Sequence, residues 1–138
     1  FLLIWNLPHW YKLYLKMYEL NKKNMFSACT SICEGGFAMA LAKMSIAGHL
    51  GVDCNLNLVP NDDLSVEKIM YSVTQSRFIV TIDASRKEEF ENCMSDFEIG
   101  EIGQVTERGF VIKNNDEEII SKNVPELDEI YKKRFKDY

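Results

Sequence analysis

The stretch Ser27 to Met44 constrains this chain more than any other. A run of small and β-branched residues ends in Glu34-Gly35-Gly36 and passes directly into an alanine-rich segment, Phe37-Ala38-Met39-Ala40-Leu41-Ala42. A strand, a sharp turn and a helix are the natural reading. The first N–H groups of a helix have no intrahelical partner, and the helix dipole places about half a positive charge there. Glycines before such an end let a ligand approach the backbone without a Cβ in the way. The segment therefore has two readings: an anion site built from backbone N–H groups, or a tight turn that swings a strand into a helix. No Gly-Lys-Ser/Thr follows, so it is not a P-loop.

The rest of the chain reads as one mixed domain. Leu13, Met17 and Leu20 recur at helical spacing in a helix expected over 8–24, with Pro8 in its first turn. Met25–Ile32 reads as a strand, and Gly36–Gly48 as the alanine-rich helix, stopped by Gly48. Val52, Cys54, Leu56 and Leu58 alternate along a half-buried strand over 52–59. Ser65 caps a short helix reaching Val73, and Arg77–Asp83 is the clearest strand. Ser85-Arg86-Lys87-Glu88 has the form of a capping box that opens a helix to Met94. Phe97–Thr106 and Gly109–Lys113 read as a hairpin about Glu107-Arg108-Gly109, followed by a turn at 114–117. A terminal helix carries Leu127, Ile130, Tyr131 and Phe135. The expected class is α+β, a mixed and mainly antiparallel sheet covered by helices. Residues 13–138 form the domain, and 1–12 read as a linker or an appended segment.

Size and charge narrow the function. A chain of 138 residues suits a single domain, and a net charge of −5 with no basic stripe argues against nucleic acid. The apolar start, Phe1-Leu2-Leu3-Ile4-Trp5, is too short to span a bilayer and lacks the basic region of a signal peptide. Without an initiating Met, the chain reads as a fragment of a longer polypeptide. Cys29, Cys33, Cys54 and Cys93 form no CxxC pair and only two histidines accompany them, so no metal site is expected. Free thiols suit a reducing compartment, and the expected location is the cytoplasm.

Three further features carry chemistry. Cys33 precedes the alanine-rich helix, where the dipole favours a thiolate, but no histidine stands by as a base and a buried small residue is the simpler reading. Gln75-Ser76-Arg77 stands at the mouth of the strongest strand, and its arginine is either an anion clamp or the partner of a local carboxylate. His49 is read as stabilising the carbonyls at a helix C-terminus. No nucleophile or paired-carboxylate constellation occurs, and no catalytic residue is assigned.

In order along the chain, Cys33–Gly48, Gln75–Ile82 and Ile99–Val105 resemble the C-terminal domain of the aminoimidazole-ribonucleotide-synthetase superfamily. They are most similar to its phosphoribosylformylglycinamidine synthase (synthetase subunit) family, over about Leu13 to Tyr138. The first segment is similar to that family's S-E-G-G-L-A-V-A-L-A-E-M-A-x-A-G and the second to S-Q-S-R-F-V-V-x-V. The resemblance implies one domain of an ATP-dependent ligase of purine biosynthesis that turns formylglycinamide ribonucleotide into formylglycinamidine ribonucleotide. It implies ATP with magnesium in the full-length enzyme and nothing tightly bound to the domain alone. It also implies a preceding N-terminal synthetase domain and a glutaminase that supplies ammonia. A homodimer is compatible with it; nucleic acid and membrane partners are not expected. Carried over residue by residue, Cys33, Glu34, Gly35 and Gly36, with Gln75, Ser76 and Arg77, are the expected phosphate- or substrate-binding positions. Where many members carry His-Asp-Val-Ser before Glu-Gly-Gly, this chain has Thr30-Ser31-Ile32-Cys33, so Ser31 stands in for an aspartate suited to magnesium. Val73 replaces a family glutamate before Ser-Gln-Ser-Arg. The alternatives are another small-molecule kinase or synthetase of the superfamily, or a non-catalytic module whose Gly-Gly turn is structural.

Overall fold

The computed structural model describes residues 2–5 and 10–133. Its centre is β4 (Arg77–Thr81), buried at every position. On one side β4 pairs antiparallel with β2 (Ala28–Ser31), and on the other with β1 (Leu2–Trp5), which continues to β5 (Glu98–Glu101). These make a four-stranded sheet in the order β2-β4-β1-β5. A second sheet has the order β6-β3-β7-β8, from β3 (Gly51–Asn55), β6 (Gly103–Thr106), β7 (Gly109–Asn114) and β8 (Glu117–Asn123). Only the β3–β7 pairing is parallel. The expectation of a mixed, mainly antiparallel α+β domain holds, with its strands divided between two sheets rather than gathered in one.

Both faces of β4 are used. Phe78 and Val80 point into a cluster with Leu2, with Leu13, Met17 and Leu20 of α1 (Trp10–Lys22), and with Phe90 and Met94 at α4 (Lys87–Cys93). Tyr14 meets the Phe78 ring edge-on at 5.4 Å. Ile79 belongs to the other cluster, with Phe37 and Leu41 of α2 (Gly36–Gly48), Ile69 and Met70 of α3 (Val66–Tyr71), and Val52, Phe110 and Ile112 of the second sheet. Val124, which opens α5 (Val124–Lys133), joins it. Each fully buried leucine or phenylalanine contributes about 1.5–3 kcal/mol of transfer free energy.

Helix ends follow local chemistry. Asn24 takes a left-handed φ of 50° after α1, and Met25 N–H donates to Leu20 O at 3.0 Å. At the end of α2 the left-handed residue is His49 (φ 52°), not Gly48, and Leu50 N–H donates to Ser45 O. Both pairs are Schellman closures. His49 thus serves the helix end through its backbone. The expected capping box at Ser85 is replaced by Asp83, whose carboxylate accepts from Ser85 N–H (2.8 Å) and Oγ–H (2.5 Å) over a 3₁₀ turn at Ala84–Arg86. Pro8 and Phe135 lie outside the described residues.

Four readings of the strands change. Residues 2–5, expected in a linker, form an inner strand, because β4 and β5 both present edges that an apolar segment can fill. The strand expected over 52–59 stops at Asn55, whose side chain accepts from Asn57 N–H at 3.1 Å and coils Leu56–Leu58 into a 3₁₀ turn. The strand expected over 97–106 breaks at Ile102, fully buried, whose carbonyl accepts from Asn55 N–H at 2.8 Å. Its halves therefore lie in different sheets. The expected hairpin of 97–106 with 109–113 does not form, because β3 lies between β6 and β7. The hairpin present is β7–β8, closed by Asn115 (φ 55°) and Asp116, and the exposed, non-alternating Glu117–Asn123 gave no strand signal.

Two outcomes test this packing. A Cβ at Gly103 would fall 2.0 Å from Asp53 O. Gly103→Ala should therefore lower stability by about 1–3 kcal/mol, read as a lower urea midpoint at unchanged slope. Burial pushes the Cys54 thiol up to about 12. A raised folded-state value stabilises fully below the unfolded thiol value of about 8.5, and that contribution is lost as pH rises toward the folded value. Stability should fall as pH rises from about 8.5 toward about 12, and Cys54→Val should show a shallower alkaline loss in the same urea titrations.

Candidate functional site

The two sequence segments singled out above leave the same end of the first sheet. Ser31 is opposite Phe78, and Ile32 N–H donates to Arg77 O at 2.9 Å. Cys33–Gly36 and Gln75–Arg77 therefore lie at adjoining strand ends, as their order in the chain suggests.

Gly35 is the N-cap of α2, with φ 88° and ψ −1°, and no side chain caps the helix. Gly36 also has a positive φ of 70°. Its N–H donates to Cys33 O at 2.9 Å and closes a turn over Cys33–Gly36. That N–H is committed, so the donors that helix geometry leaves in the first turn belong to Phe37 and Ala38. A Cβ on Gly36 would meet Met70 O and Tyr71 Cα, both at 2.6 Å, while one on Gly35 would meet Met39 Cβ at 2.6 Å. The end of α3 is packed directly on the start of α2.

Around the turn, Glu34 and Cys33 are exposed, and Ser31 Oγ lies 3.3 Å from Cys33 Sγ. Cys33 is thus not the buried small residue that was the simpler expectation. Gln75 is exposed, and Ser76 is partly buried with a φ of 62°, a conformation that costs a non-glycine residue about 1–2 kcal/mol. Arg77 is 4% exposed. Its Nε donates to Thr74 O at 3.2 Å, and its Nη2 donates to Ser72 O (2.5 Å) and Ser72 Oγ (3.1 Å). No carboxylate pairs with it among the described residues, and desolvation lowers its pKa from the ordinary value. The expectation of a local acidic partner is replaced by carbonyl dipoles. Ser72 and Thr74 escaped the sequence reading, because backbone acceptors leave no side-chain pattern. The only hint was the polar run leading to the strand.

Elsewhere, a groove of about 680 Å³ opens at the seam between the sheets, lined by Asp53, Asn55, Glu101 and Gln104. Its carboxylates are already paired, Asp53 with Lys113 at 2.9 Å and Glu101 with Lys87. The described residues contain no group of three His, Cys, Asp or Glu side chains able to hold a metal, and none of the described helices is long and apolar enough to cross a membrane.

The site thus belongs to a two-sheet α+β domain whose Gly-Gly helix start lies beside an Arg-anchored loop. The family model for the C-terminal domain of AIR synthase related proteins matches residues 8–113, and the chain belongs to that family. Among curated relatives, phosphoribosylformylglycinamidine synthase subunit PurL of Methanobrevibacter smithii is 29% identical over 121 residues, 87% of this chain and 16% of that protein. The same subunit of Methanocaldococcus jannaschii is 27% identical over 124 residues, 90% of this chain and 17% of that protein. Thermotoga maritima PurL, solved in complex with AMPPCP, superposes with a TM-score of 0.75 at 17% identity, over 84% of this chain and 21% of that one. Structures of the same protein with FGAR and with ATP superpose equally well. The chain therefore spans about a sixth of the curated relatives it matches.

Gly36→Ala should be the most damaging change at the turn. It meets both the cost of a left-handed alanine and immovable main chain of α3, and should lower stability by about 2–4 kcal/mol in urea denaturation, enough to separate it from surface substitutions.

Proposed function

We propose that this chain is the C-terminal synthetase domain of a phosphoribosylformylglycinamidine synthase, an ATP-dependent C–N ligase of purine biosynthesis in the cytoplasm. The observation that carries the reading is the alignment of 87% of the chain with one stretch of the PurL subunit, together with a Gly-Gly helix start and an adjoining Gln-Ser-Arg loop in that family's order. In the whole enzyme the amide oxygen of formylglycinamide ribonucleotide takes a phosphoryl group from ATP. Ammonia from a glutaminase partner then displaces the phosphate. This domain supplies one wall of that site, and a preceding synthetase domain supplies the other.

At this wall the start of α2 holds a phosphate group through first-turn N–H groups. Cys33, Glu34, Gly35 and Gly36 shape the approach, with Gln75 and Ser76 beside them. The donor set here, Ser31, Cys33 and one carboxylate at Glu34, does not fit magnesium, which demands several oxygen ligands in octahedral geometry. The metal that accompanies ATP is held by groups outside this chain.

A second reading, that the turn is structural only, has the packing of Gly36 on Met70 and Tyr71 in its favour. The two separate in an ¹⁵N NMR titration with inorganic phosphate and with ATP. Shifts at the Gly35, Phe37 and Ala38 amides support the phosphate wall, and unmoved amides sink it. Mixed alone with ATP, formylglycinamide ribonucleotide and ammonia, the chain should form no product. Turnover would show that it does not need a second wall.

A further inference from the structure

We infer that Arg77 is a positioning residue whose buried guanidinium locks the loop before β4 against the Gly35-Gly36 turn, and that it is not itself a ligand for phosphate. The inference deepens the proposed function and rests on it for the phosphate; the lock itself is a property of the free chain.

An arginine that clamps an anion presents its N–H fork to the ligand. Arg77 spends its Nε and Nη2 donors on the chain. Three of its hydrogen bonds run to two residues of one irregular loop, Ser72 and Thr74, and the residue is 4% exposed. Burying a cation is costly unless its donors are satisfied, and here the satisfying groups are mostly main-chain carbonyls. The loop has no ladder of its own, so the cation and the loop fix one another.

The lock extends to the turn by two routes. Just ahead of Ser72, the main chain of Met70 and Tyr71 occupies the space where a Gly36 Cβ would stand. Arg77's own carbonyl accepts from Ile32, one residue before Cys33. The guanidinium thus holds the floor of the α2 start, and the main chain of the same residue holds the strand leading into it. Lysine cannot replace it, because a single ammonium lacks the planar fork that reaches Thr74 O and Ser72 O together.

The charge-conserving change is the discriminating one. In the ligand-free chain, Arg77→Lys should move the Ser72, Thr74, Gly36 and Phe37 amide resonances about as far as Arg77→Gln does. Both should weaken inorganic phosphate binding at least about tenfold, the equivalent of one charge-assisted hydrogen bond. Methylguanidinium added to Arg77→Ala should return those resonances toward wild-type positions. If Arg77 were a ligand, Arg77→Lys would keep the free-chain resonances and most of the affinity, and that result overturns the inference. Should the Arg77 variants fail to fold, Ser72→Ala removes only the 3.1 Å acceptor. Displaced Gly36 and Phe37 amides in that variant support the lock, and unmoved ones overturn it. Wild-type amides that ignore phosphate and ATP defeat the phosphate reading alone, and the free-chain comparison still decides the lock.

Discussion

The domain depends on one strand with two working faces. β4 runs Arg-Phe-Ile-Val-Thr with no exposed position, and its alternation sends Phe78 and Val80 to one core and Ile79 to the other. Side chains of a strand point alternately to opposite sides, so a one-residue slip would exchange the two sets. Such a slip would place Arg77 in the cluster that now holds Phe78. The arginine at the head of the strand therefore marks its register as well as anchoring the loop before it. The cluster under α1 and α4 and the cluster under α2 and α3 take their β4 residues from opposite faces of this strand.

Much of this was legible in the residues. The bounds of α2, Gly36 to Gly48, follow from the glycine pair ahead of an alanine-rich apolar line, and β4 follows from an unbroken β-branched run. What escaped was pairing. Leu2–Trp5 carries too few residues for a periodic signal, and its role exists only because β4 and β5 stand on either side. The split of 98–106 between two sheets turns on one buried residue, Ile102, inside a segment that otherwise alternates as one strand would. The β6–β7 hairpin failed for a related reason. Gly51 admits Thr106 Oγ1 and Gly109 O at close range, which lets β3 enter between the two strands and take both as partners.

The candidate site was legible in composition and not in bonding. That Gly35-Gly36 and Gln75-Ser76-Arg77 belong together follows from family order, and the Ile32–Arg77 contact gives this a physical basis. The glycines themselves answer to backbone conformation and to packing. Their positive φ values and the lack of space for a Cβ would require glycine even if nothing bound there. Packing alone thus accounts for both glycines, and the anion role proposed for this helix start is additional to it.

The inner position of β1 has a kinetic consequence. Leu2 is opposite Val80 on one side and Glu101 on the other, so its hydrogen bonds join the start of the described chain to segments far along it. Contacts of such long sequence separation close large loops, and loop entropy must be met before the pairing rewards it. Without β1, β4 and β5 would each present an edge of unpaired N–H and C=O groups, the template that captures foreign strands. Four residues thus cover two strand edges at once, and their removal would expose both.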